Sequence, residues 1–121
     1  MKPLLAIAAA MTVAAAVVHA QDEAIYRPGN GVSTPTVVKD VKASYTSDAF
    51  RHKIKGKVVL EAVVKPDGTV GDVTVTRSLD KKYGQDDACV AAMKQWQFKP
   101  GMKDGHAVSV RVDVEMAFTM K

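Results

Sequence analysis

The sequence predicts an α+β fold, a two-layer sandwich in which a three-stranded antiparallel sheet of order 2-1-3 carries two helices on one face. Three observations in this chain of 121 residues predict it. Apolar residues alternate over positions 57–65 and again over about 70–78, across a Pro66-Asp67-Gly68 turn. The period then lengthens to that of a helix over 83–96, and it returns to two over 108–120.

Each element has its own local reason. Thr46, Ser47 and Asp48 are N-cap residues, and Ala49, Phe50, Lys53 and Ile54 follow before Gly56, which predicts a helix of about two turns with Phe50 and Ile54 facing the core. In the first strand Val58, Leu60, Ala62 and Val64 alternate with Lys57, Val59, Glu61, Val63 and Lys65, and both faces are valine-rich, as a central strand requires. Proline presets φ, aspartate bonds back to the backbone and glycine accepts positive φ, so Pro66-Asp67-Gly68 closes a hairpin onto the second strand. Val70 is out of phase with Val73, which a bulge at Gly71 absorbs. Cys89, Ala92, Met93 and Trp96 fall at i, i+3, i+4 and i+7 and make one apolar helix stripe. Pro100-Gly101 stops that helix, and Val108, Val110, Val112, Val114, Met116, Phe118 and Met120 then alternate with polar neighbours in the third strand. A hairpin followed by a helical return places strand three against strand one.

The chain divides into three parts. Residues 1–20 carry one charge at Lys2, an apolar run from Leu4 to Val18 and a small-x-small end at Val18-His19-Ala20, the pattern of a secretory signal peptide. The run of 15 residues is shorter than the roughly 20 of a membrane span. Periplasmic export is therefore expected, with an inner-membrane anchor the alternative if the segment is not cleaved. Residues 21–42 hold Gly, Pro, Ser, Thr and Asn without periodicity and are expected to be a largely mobile lead-in. Residues 43–121 form the domain. The mature net charge of +3, against +4 for the whole chain, is interleaved rather than clustered, which gives no nucleic-acid footprint.

The residues do not spell out catalysis, and no cofactor is expected. His52 and His106 lie in different segments without metal-ligand spacing. Cys89, the single cysteine, sits on an apolar stripe and is expected to be a buried packing thiol. Asp86 and Asp87 are expected to be a solvated first helical turn. Trp96, the single tryptophan, is expected to anchor the core where the helix exits rather than to serve as a ligand platform. One surface has physical potential: in the order 2-1-3, the far side of strand three has no neighbour and presents unpaired N–H and C=O groups. From pattern alone the favoured reading is an edge defended by Arg111, Asp113, Glu115 and Lys121.

The segments GKVVLEAVVKPDGTVGDVTVTRS and CVAAMKQWQFKPGMKDGHAVSVRVDVEMAF, with Tyr45 set eleven residues before Gly56, together resemble the TonB C-terminal domain over about residues 45–120. The resemblance departs at Thr46, where the family commonly has proline, and at Ala107, where it often does. It also departs in lacking the usual anchor and Pro-rich spacer. It implies an energy-transducer domain, not an enzyme, whose last strand accepts an extended segment of an outer-membrane receptor by β-strand addition, here along Ser109, Val110, Arg111, Val112, Asp113, Val114 and Glu115. No small-molecule substrate is implied. The alternative is an envelope assembly protein that joins a complex or a second copy of itself through the same edge.

Overall fold

Val58, Leu60, Ala62 and Val64, the inward set of one strand, are wholly buried and form the centre of the protein. The computed structural model describes residues 24–120, and the signal-peptide reading of residues 1–20 lies outside them. The elements are β1 (Ile25–Tyr26), β2 (Thr36–Lys39), α1 (Ser47–Arg51), β3 (Gly56–Val64), β4 (Val70–Arg77), α2 (Gln85–Met93), β5 (Gln97–Lys99), β6 (Gly101–Lys103) and β7 (His106–Phe118). The three expected strands are neighbours in the order β4, β3, β7, but they do not form a sheet by themselves. β1 pairs parallel with β7, β6 pairs antiparallel with it, and β2 pairs with β5 in a second sheet. The sheet is therefore mixed and five-stranded, and the segment expected to be mobile supplies β1 and β2. Strands of two and four residues are too short to leave an alternation in the sequence.

β3 and β7 share an unbroken register from Gly56↔Phe118 to Val64↔Val110. Their common inward face, extended by Met116 and Phe118, is covered by Cys89, Ala92 and Met93 of α2 and by Phe98. Each buried branched side chain there is worth about 1.5–3 kcal/mol. The bulge expected at Gly71 is present, since Val64 pairs with Val70 while Ala62 pairs with Val73. Gly68 has φ +88°, and a Cβ there would lie 2.2 Å from Phe98 O. Glycine thus lets the hairpin turn dock on β5, where Phe98 N–H donates to Gly68 O at 2.9 Å.

Two helix expectations are corrected. Thr46 caps α1 as expected, its hydroxyl accepting from Ala49 N–H, but the helix is only five residues long and turns Ala49 inward. Phe50 is 58% exposed and packs edge-on against Tyr45 instead of entering the core. α2 begins after Gly84 and ends at Met93, so Trp96 is beyond the helix. Asp86 is buried, not solvated: it accepts from Ser78 Oγ, from Leu79 N–H at 2.9 Å and from Asp80 N–H at 3.0 Å. Asp80, also buried, accepts from Lys82, Tyr83 and Gln85 N–H. Burial pushes its carboxyl up, but these three backbone donors outweigh burial and hold it below the usual aspartate range. A pattern search over apolar residues passes over such a loop, because aspartates organise it.

Candidate functional site

The hairpin determines which backbone groups of β7 face outward. Lys65 N–H donates to Thr69 O, and Lys65 O accepts from Gly68 N–H, both at 2.8 Å, so Lys65 faces β4. Val59 O faces the same way, accepting from Thr76 Oγ1 at 3.2 Å. Alternation then turns Val58, Leu60, Ala62 and Val64 toward β7. Their partners Met116, Val114, Val112 and Val110 point back at β3. Ser109, Arg111, Asp113, Glu115 and Ala117 are left with N–H and C=O directed to the far edge.

That edge is only partly covered. β1 lies against its upper end in the register Ile25↔Ser109 and Tyr26↔Val110, whereas β6, which pairs with Val108, Ala107 and His106, lies on the β3 side by the same alternation. Ser109 and Val110 are accordingly buried. From 111 to 118 no described strand other than β3 pairs with β7. Of the residues predicted for the site, Asp113 and Glu115 present open backbone groups, Arg111 keeps an open C=O while the parallel pairing Tyr26↔Val110 directs its N–H to Tyr26 O, Val110, Val112 and Val114 hold β3, and Ser109 lies under β1.

Beside the open stretch is a groove of about 520 Å³ between the segment 40–43 and the end of β7. Val41, Ala43, Tyr45, Trp96, Met116 and Phe118 supply its apolar lining. Trp96 is half-buried and packs on the core, and its Nε1–H donates to Val41 O at 2.9 Å, which fixes the outer wall of the groove. The expected anchor is therefore also a wall. Tyr45 is placed by an edge-on contact with Phe118, centroids 5.3 Å apart, and by its hydroxyl donating to Ile54 O. Val41 carries no signal in the sequence, whereas Tyr45 belongs to the motif quoted above.

The other face of the sheet is charged. Arg27 pairs with Glu61 and reaches Asp113 at 3.8 Å, Arg111 pairs with Glu61 at 3.2 Å, and Lys57 with Glu115 at 3.4 Å. The hydrogen bond from Arg27, helped by Arg111, holds the Glu61 carboxyl below the usual range. His52 stacks on Tyr83 and His106 lies exposed at the start of β7, and no group of three or more potential metal ligands occurs among the described residues.

The model of the family described as Gram-negative bacterial TonB protein C-terminal matches residues 41–120. The chain belongs to the TonB C-terminal family. A solution NMR structure of the Pseudomonas aeruginosa TonB C-terminal domain shares the fold, with a TM-score of 0.58 and 22% identity over 77% of this chain and 90% of that one. No curated protein matches significantly. TonB C-terminal domains are non-enzymatic energy transducers acting in the periplasm, so membership gives this chain a TonB-like role in outer-membrane transport. No helix among the described residues is long and apolar enough to cross a membrane.

Proposed function

We propose that this protein is exported to the periplasm on residues 1–20 and there captures an extended segment of an outer-membrane receptor as a strand added to β7. The observation that carries the reading is the outward ladder that runs from the Arg111 C=O through Asp113, Glu115 and Ala117, unpaired among the described residues and bordered at its Glu115–Ala117 end by the apolar groove. An added strand takes its main-chain bonds from those four residues. Its alternate side chains fall toward Tyr45 and Trp96 on one side and toward the charges of Glu61 and Asp113 on the other. Main-chain bonds give the affinity, and the two unlike faces give the preference for register.

Adjacent residues of β7 direct their N–H groups to opposite neighbours, so proline separates the open edge from the paired one. Asp113→Pro removes an outward donor and is expected to stay folded while binding a receptor N-terminal peptide about three- to tenfold more weakly, the equivalent of one net hydrogen bond. Val114→Pro removes a bond to β3 and is expected to unfold or melt far earlier. Calorimetry on both variants checks this. An Asp113→Pro variant that is folded and binds as tightly as the parent contradicts strand addition at this edge, and concentration-dependent dimerisation without peptide would favour self-assembly through it.

A further inference from the structure

We propose that β1 is a displaceable strap, and that the edge of β7 accepts a long strand only by exchanging it for the protein's own residues 24–28. The inference rests on the strand-addition reading of the same edge. β1 occupies the position an added strand would take one outward residue further up, at Ser109, so the protein carries a competitor for its own site.

The attachment of this strap differs in kind from that of the rest of the sheet. β1 meets β7 in two register pairs, whereas β3 meets it in nine. Pro28, two residues beyond Tyr26, has no N–H with which to continue the ladder. Ile25 is 44% exposed and adds little burial. What remains are contacts at the surface: Arg27 to Glu61 and Asp113, and Lys103 Nζ over the Tyr26 ring at 5.6 Å. The Arg27 side chain is 56% exposed, and ion pairs in that setting hold weakly and are screened by salt. A segment with so few buried contacts opens locally while the sheet stays intact.

Arg27 is the latch, because it ties the strap to β3 and β7 at once. While the strap is docked, free outward groups run from the Arg111 C=O to Ala117. When it opens, Ser109 and the Arg111 N–H join them. A short ligand strand fits below the strap; a longer one has to displace it.

Arg27→Glu, which repels Glu61 and Asp113, and the milder Arg27→Ala separate these roles. In native-state amide exchange, residues 24–28 and 109–111 are expected to exchange at least fivefold faster in Arg27→Glu than in the parent, with Arg27→Ala between them and the amides of β3 unchanged. Unchanged exchange at 24–28 and 109–111, or acceleration spread equally through β3, overturns the latch whether or not any peptide binds. The second arm uses acetylated and amidated peptides of alternating threonine and valine, seven and eleven residues long. Arg27→Glu is expected to bind the longer at least threefold more tightly than the parent does and the shorter equally well. Equal or weaker binding of the longer peptide by the variant overturns the exchange. Failure of the parent to bind either peptide refutes strand addition itself, and the amide data then judge the strap alone.

Discussion

At the scale of single residues, two side chains test how the domain holds together. Trp96 packs on the core through its ring and holds Val41 O through its Nε1–H. Trp96→Phe keeps most of the packing and is expected to cost about 1 kcal/mol, the value of one hydrogen bond. Trp96→Ala, which loses ring and bond together, is expected to cost about 3 kcal/mol, the low end for a large aromatic because the ring is only half-buried. Thermal unfolding of both variants checks the ratio, and an unchanged melting temperature in Trp96→Phe would mean that the bond to Val41 carries nothing. Cys89 is wholly buried, and burial first, with the Asp86 charge adding to it, pushes its thiol up to about 11. Almost no thiolate exists at neutral pH, so a thiol reagent is expected to label Cys89 at the rate of unfolding. Rapid labelling of the folded protein would contradict its sequestration.

At the scale of elements, β3, β4 and β7 were legible because nine, eight and thirteen residues are enough for a period of two to declare itself. The Gly71 bulge and the Thr46 cap were legible because each depends on residues adjacent in sequence. β1 and β2 were not, since two-residue and four-residue strands exist only through the partners they find. The candidate site divides in the same way. The open edge followed from strand order, but its coverage at Ser109 and the groove wall at Val41 come from the lead-in, whose tertiary position no local pattern encodes. The start of α2 is hidden in the sequence for a different reason: Asp80 and Asp86 look like surface charges and are buried because backbone donors satisfy them. Asp80→Asn leaves one acceptor oxygen for three donors and is expected to cost about 1–2 kcal/mol at neutral pH. The folded-state value of Asp80 is depressed, so its contribution is full above the ordinary aspartate value of about 3.9 and is lost as pH falls through the lower folded value. Stability curves of parent and variant should therefore converge in acid. A constant gap across that range would mean that the carboxylate charge is irrelevant.

At the scale of the whole molecule, the design has one built-up side and one exposed edge. α2 and Phe98 of the second sheet press on one face of β3 and β7, the end of the long last strand borders a groove with the segment 40–43, and no described strand other than β3 pairs with β7 over 111–118. The unfilled hydrogen-bonding capacity of the described edge is concentrated in the outward groups of Asp113, Glu115 and Ala117 and the C=O of Arg111. The most direct measurement is an NMR titration of the amide-labelled protein with a peptide from the N-terminal segment of an outer-membrane receptor. The account predicts saturable shifts and slowed exchange confined to the amides of Asp113, Glu115 and Ala117, with the Trp96 indole N–H shifting alongside them and the amides of Arg111, Val112 and Val114 already protected before peptide is added. Binding that leaves those three amides unprotected, or that protects the far edge of β4 or of β2 instead, would contradict it.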